Sequence, residues 1–150
     1  MRISKKGEYA LRAMIDLSLN FNKGSVQIHE ISEKERIPKK FLEQILLELK
    51  KAGLLQSKRG IGGGYCLIKP PEEITLAQVI RIIDGPLAPL GCVSEWAHIS
   101  CPEEKNCGLH SVMLEVRNAI VKILESITFA DVCKRTKGML EKRSERTIKE

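Results

Sequence analysis

The apolar residues change their spacing several times along this chain, and each change marks a new element. Tyr9, Ala10, Ala13, Met14 and Leu17 recur on one helical face, which predicts a helix from about Lys5 to Asn20 before "NKGS" breaks it. Ile28 and Ile31 lie three apart behind Ser25, predicting a short second helix with that serine as its cap. Pro38 suits the first turn of a third helix, whose apolar stripe is Phe41, Leu42, Ile45, Leu46 and Leu49 and whose end is Gly53. Beyond Gly53, "LLQSKRGIGGGYCLIKP" reads as two short strands about a basic, glycine-rich turn. "TLAQ" at Thr75 is a capping box that opens a fourth helix, which runs to about Asp84 and stops at Gly85-Pro86.

The most regular pattern comes later. Leu109, Met113, Val116, Ile120, Ile123 and Ile127 form a heptad seam, widened by Val112, Ala119 and Leu124. A face this broad on one helix of a small chain calls for a partner, and a two-fold homodimer is the expectation. From Lys134 the chain is charged and has no core face, so 134–150 is expected to be a mobile or weakly helical tail. The expected fold is therefore mainly α with a small β-hairpin: a winged helix-turn-helix head over 1–84, a loop over 85–108, a dimerisation helix with its closing segment over 109–133, and the tail.

Charge sharpens this picture. Residues 1–70 carry 14 Lys and Arg against 7 Asp and Glu, whereas residues 71–150 carry 11 against 12. The whole basic excess thus sits on the head, as expected of a protein that binds double-stranded DNA. No stretch approaches the ~20 apolar residues of a membrane span, and the start lacks a signal-peptide core, so a cytoplasmic location is expected. In a helix-turn-helix the second helix leads into the major groove with its first turn, here "PKKFLEQ". Lys39, Lys40, Phe41, Glu43 and Gln44 are the candidates there: lysines for phosphate, Glu for cytosine N4, Gln for adenine. For Glu43 an intrahelical pair with Lys39 is the competing role. Ser57, Lys58, Arg59 and Gly60 form the wing candidate, with Arg59 placed to enter a minor groove. "RGIGGG" lacks the Gly-Lys-Ser/Thr and the following helix of a phosphate loop, so nucleotide binding is not expected.

Three of the five cysteines and two of the three histidines fall within residues 91–110. Cys92, Cys101, Cys107 and His110 have the spacing C-x8-C-x5-C-x2-H, three thiolates and an imidazole suited to an iron–sulfur cluster or to zinc. Zinc sites favour close pairs such as C-x2-C, so the long gaps favour the cluster. His98 is a second candidate histidine. Cys107 and His110 lack an orienting third group and an oxyanion hole, so an enzyme is not expected. Cys66 and Cys133 are expected to be small buried side chains, and Trp96 either shields the centre or packs ordinarily.

"MRISKKGEYALRAMIDLS", "FLEQILLELKKAGLLQSKRGIGGGYCL", "ITLAQVIRIIDGP" and "ILESITFADV" together resemble the Rrf-two family of bacterial winged-helix regulators over about residues 1–133. The three clustered cysteines resemble its iron–sulfur-sensing, IscR-type branch. That resemblance implies a homodimer on palindromic promoter DNA. It also implies a [2Fe–2S] cluster on three Cys and one His, with [4Fe–4S] left open, loaded by the iron–sulfur assembly machinery. Occupancy would change promoter choice, with Glu43 tuning the discrimination, and the regulated genes would be those of cluster biogenesis. The first Cys–Cys gap is longer here than in that branch. In some relatives a carboxylate of the partner's first helix completes the cluster, and Glu8 stands at that position, so His110, Glu8 and His98 all remain open as fourth ligand. A nitric-oxide or redox-responsive repressor, or a metal-independent cysteine-metabolism regulator acting with a partner protein, are the alternatives on this scaffold.

Overall fold

A computed structural model describes the backbone of residues 1–149 and the side chains of 1–148. Its helices are α1 (Lys5–Leu19), α2 (Ile28–Glu35), α3 (Lys39–Lys51), α4 (Leu76–Asp84), α5 (Gly108–Ser126) and α6 (Phe129–Lys149). Strands β1 (Leu55–Lys58) and β2 (Gly64–Leu67) form an antiparallel hairpin with Leu55 opposite Leu67 and Lys58 opposite Gly64. This is the expected winged helix-turn-helix followed by a long helix. No helix among the described residues is long and apolar enough to cross a membrane.

The core is built around α1, which packs against α2, α3, α4 and α6. Ala10, Ala13, Met14 and Leu17 are buried on it, against Leu42, Ile45, Leu46 and Leu49 of α3. The start of α1 is fixed by the end of α4: the Ser4 amide donates to Asp84 at 2.8 Å, and the Ser4 hydroxyl also bonds that carboxylate. Negative charge at a helix N-terminus is favourable, and Gly7 lets Asp84 approach, because a Cβ there would collide with its carboxylate. Lys6 bonds Glu48 at 2.5 Å, joining α1 to α3.

Each predicted stop has its physical cause. Gly53, at φ +83°, ends α3 in a Schellman turn, with Gly53 N–H donating to Lys50 at 3.0 Å and Leu54 N–H to Leu49 at 3.1 Å. Thr75 and Gln78 form the expected capping box of α4. The cap of α2 differs from expectation: Gln27, paired with Glu30, fills that position, while Ser25 Oγ is buried without a partner. Arg36 follows α2 in the left-handed region (φ 55°) and makes the turn into α3.

For the tail the structure takes the helical alternative over the mobile one and moves its boundary. Residues 134–149 continue α6, so the boundary at 134 falls inside a helix; Glu150 lies outside the described residues. Phe129, fully buried, anchors that helix in the head, and Thr128 with Asp131 caps it through mutual hydrogen bonds of 2.9 to 3.1 Å. The exposed remainder is rich in Lys, Arg and Glu, good helix formers that need no apolar stripe to continue a helix once started.

Candidate functional site

The inward stripe of α3 decides which of its residues face outward. With Leu42, Ile45, Leu46 and Leu49 buried, Lys39, Lys40, Glu43 and Gln44 are all exposed. The first turn of α3 holds two lysines and no acid, which leaves its free N–H groups open to a phosphate. Lys39 and Glu43 form no ion pair among the described residues. Phe41 is the exception in this set. It is half-buried with its ring edge-on to Tyr9 at 5.7 Å, so it also positions α3 on α1.

The wing is a hairpin braced by a third chain segment that the sequence pattern does not announce. Val26 pairs with Tyr65 through N–H to O bonds of 2.9 and 2.8 Å. Gly64 (φ +138°) makes room for this, since a Cβ would run into the Val26 carbonyl. Lys58, Arg59 and Gly60 are exposed at the turn, and neither basic residue has an ion-pair partner among the described residues. The Ser57 hydroxyl accepts from Lys50 Nζ at 2.7 Å, which ties the hairpin to the end of α3. Ile61 was not among the sequence candidates, yet it stands fully exposed at the tip. Its only signal was an aliphatic residue set inside a glycine run. Apolar side chains of this kind wedge into minor grooves.

The cysteine loop follows α4. Cys92 is half-buried in a short 3-10 turn (Gly91–Val93), Cys101 is exposed, and Cys107 is the N-cap of α5, its Sγ accepting from the His110 amide at 3.4 Å. His110 Nδ1 is out of solvent with no hydrogen-bond partner. By contrast His98 Nε2 lies 3.1 Å from both oxygens of Glu104. That hydrogen bond holds the Glu104 carboxyl below its ordinary range, helped by the His98 charge, a bond with the Cys101 backbone and the nearby His110. Glu8 is likewise engaged, paired with Lys5 at 3.0 Å and Arg12 at 2.6 Å, and the Lys5 bond draws its pKa down. Among the described residues, no three His, Cys, Asp or Glu side chains converge closely enough to hold a metal ion. Within one chain, then, the Cys107 sulfur meets the His110 backbone amide, and the described residues form no three-ligand group.

Trp96 does not cover the cysteines. It is 74% exposed and lies against Arg81 of α4, whose guanidinium carbon is 5.2 Å from the ring centroid. Cys133 is buried as expected, and burial pushes its thiol pKa up. Cys66 is not buried as expected but half-exposed on β2 opposite Gln56, on a hairpin too short to have two covered faces.

The heptad seam divides between two neighbours. Ile120, with Val121 and Leu124, packs on Ala77, Ile80 and Leu87 beside α4. Leu109, Val112, Val116, Ala119 and Ile123, at spacings 3, 4, 3 and 4, are exposed, leaving a continuous apolar face. Met113 is half-buried between these faces. Ile127 lies just past the helix, where its carbonyl accepts from the Leu76 amide at 3.0 Å.

The sequence model of the Rrf2 family, described as iron-dependent transcriptional regulators, matches residues 3–135. The chain belongs to the Rrf2 family. Among its relatives, an rrf2-like HTH-type regulator of Rhodobacter capsulatus is 39% identical, the match covering 87% of this chain and 91% of the relative. The structure of CymR, the global cysteine regulator of Bacillus subtilis, superposes with a TM-score of 0.78 at 30% identity, covering 90% of this chain and 98% of that one. IscR of T. potens superposes with a TM-score of 0.72 at 34% identity, covering 91% and 88%. This Rrf2 protein is therefore a DNA-binding transcription regulator, and its IscR-like relation is shown alongside an equally close relation to CymR.

Proposed function

We propose that this Rrf2 protein is a homodimeric sensor of iron–sulfur status, of the IscR type. On this reading it controls cluster-biogenesis genes and changes its promoter preference with cluster occupancy. One observation carries the reading: Cys107 and His110 open α5 together, and His110 Nδ1 is buried without any protein partner. A buried ring nitrogen left unbonded is costly, and a metal ligand role removes the cost. Of the three candidates for fourth ligand, His110 has the buried nitrogen without a partner, whereas Glu8 is held by ion pairs with Lys5 and Arg12 and His98 Nε2 lies against Glu104. The chemistry of the donor set, three soft thiolates and one imidazole, suits [2Fe–2S] better than zinc and leaves [4Fe–4S] possible.

Cys92, Cys101, Cys107 and His110 would hold the cluster, which when bound supplies an oxidisable, dissociable cross-link received from the assembly machinery. The chain's own residues do the rest. Cys92 and Cys101 would bring the loop that carries them to the start of α5, where Cys107 and His110 would complete the ligand set. The same loop meets α4 through Trp96 and Arg81, and α4 packs on the head. On the head, Lys39, Lys40, Lys58 and Arg59 hold phosphate or the minor groove. Glu43 and Gln44 address base edges, with Glu43 selecting between promoter classes. The exposed stripe of α5 covers that of a second copy, setting the spacing of the two recognition helices.

The test is anaerobic purification followed by a visible spectrum and assays of iron and acid-labile sulfide. Iron and sulfide in equal amounts with visible absorption support the reading. A colourless, iron-free protein that also resists reconstitution overturns it, along with a nitric-oxide or redox-responsive repressor built on the same centre. The similarity to CymR then favours a metal-independent regulator of cysteine metabolism acting with a partner protein.

A further inference from the structure

A cleft of about 610 Å³ opens where the base of the wing, α4 and the cysteine loop meet. Leu54, Ile82, Pro86 and Trp96 supply its apolar wall, and Lys69 and Arg81 its charge. A volume of this size, mostly apolar with a few polar groups, is typical of a small-molecule site. No carboxylate lines it, and Lys69 forms no ion pair among the described residues.

Arg81 is only partly committed. One terminal nitrogen meets Glu125 at 2.7 Å and the guanidinium lies on Trp96, which leaves its other terminal nitrogen without a hydrogen-bond or ion-pair partner among the described residues. A guanidinium N–H that still faces solvent can give an anionic oxygen a charge-assisted bond. Beside it, the exposed indole of Trp96 offers an aromatic face that a flat apolar body would cover.

We propose that this cleft binds a small aromatic carboxylate, with the carboxylate on Arg81, Lys69 at the rim, and the ring against Trp96 and Ile82. The site touches each working part of the molecule. Trp96 lies four residues beyond Cys92, Leu54 precedes β1 of the wing, and Arg81 reaches α5 through Glu125. A bound acid therefore favours one placement of loop and wing, and so acts on DNA affinity as a second input. The site stands whether or not the cysteines hold a cluster.

Trp96 is the only tryptophan, so its emission reports the cleft directly. Full-length, iron-free protein is titrated with 3-phenylpropionate, with 3-phenylpropionamide and acetate as controls, and calorimetry provides a second readout. The expected result is saturable binding of the acid, with the amide and acetate about tenfold or more weaker. R81Q and K69Q should each weaken the acid by about three- to tenfold, with K69Q, on an exposed side chain, retaining the wild-type circular dichroism. Equal binding of acid and amide, or unchanged binding in both variants, overturns the proposal. So does acetate that binds as tightly as the aromatic acid. Absence of saturable heat with 3-phenylpropionate, benzoate and indole-3-acetate up to about 10 mM overturns it as well.

Discussion

The Glu95 carboxylate meets the Arg117 guanidinium at 2.7 Å, and this pair ties the cysteine loop to the middle of α5. Arg117 is 9% exposed and its Nε has no partner, so it depends on Glu95 for compensation. Removing the exposed partner leaves a nearly buried charge unpaired. Glu95→Gln should therefore cost about 1–2 kcal/mol, below the range for fully buried pairs because Glu95 stays in contact with water. Arg117→Met, which removes the charge and keeps the volume, should cost less. Urea midpoints at unchanged m-value measure both. A larger loss for Arg117→Met would show that the pair is a net stabiliser.

Gly64 is where the wing is most sensitive. Ala there must adopt a positive φ and drive its methyl into the Val26 carbonyl, breaking the bridge to Tyr65. Gly64→Ala should destabilise by about 1–3 kcal/mol and weaken DNA binding more than stability alone explains. Arg59→Ala should leave stability unchanged and reduce the slope of log affinity against log salt by about one. An unchanged slope removes the wing from the DNA contact.

These two wing residues also show how far the sequence was legible. Arg59 was readable because its chemistry is local: a basic pair at a glycine turn after a change of period. The role of Gly64 was not, because it depends on Val26, a single bridging residue with no strand pattern of its own. The same distinction explains the rest. Thr75 and Gly53 announce helix ends through short-range hydrogen bonds and were correctly placed. Whether Ile120 faces α4 or a second subunit is a tertiary question that heptad spacing leaves unanswered. Between a mobile and a weakly helical tail past Lys134 the sequence could not choose, because the helix start is fixed by Phe129, buried in a distant core, while its own residues carry no apolar stripe.

Two neighbours on α5 separate assembly from folding. Ile123 is 60% exposed on the open apolar face, whereas Leu124 packs beside α4. Ile123→Glu should yield a folded monomer with far-ultraviolet dichroism retained, seen by sedimentation, because a charge on the stripe proposed to meet a second copy opposes its docking. Leu124→Ala should keep the oligomeric state and lower stability by about 1–3 kcal/mol, the cost of deleting a partly buried leucine. A monomeric wild type, or a dimeric Ile123→Glu, would remove this face as the interface.

The fourth ligand can be settled by contrast. If the proposed cluster is present, His110→Ala should abolish or strongly destabilise it, as should Ala at Cys92, Cys101 or Cys107, each with the fold retained. Glu8→Gln should leave the visible spectrum intact, since that carboxylate is already paired with Lys5 and Arg12, and His98→Ala should do so if His110 is the ligand. Loss of the spectrum in Glu8→Gln with retention in His110→Ala would move the ligand to the first helix.

Asp131 makes stability pH-dependent at the elbow between α5 and α6. It accepts from the Thr128 amide and hydroxyl, both at 2.9 Å, and the amide bond is the main cause of a carboxyl pKa below the ordinary 3.8. A depressed carboxyl pKa means that folding favours the ionised form. The contribution is therefore complete above the unfolded value and fades as pH falls through the folded one. Asp131→Asn should lower the melting temperature near neutral pH, with the gap to wild type closing below about pH 4. The cap holds α6 where Phe129 N–H donates to Ile74 at 2.9 Å and Leu76 N–H to Ile127 at 3.0 Å, so its loss should also loosen the start of α4. Hydrogen exchange at Leu76 and Phe129 is the direct measure: faster exchange in Asp131→Asn at neutral pH supports the cap. A melting-temperature gap that stays constant down to about pH 2 would assign the effect to packing instead.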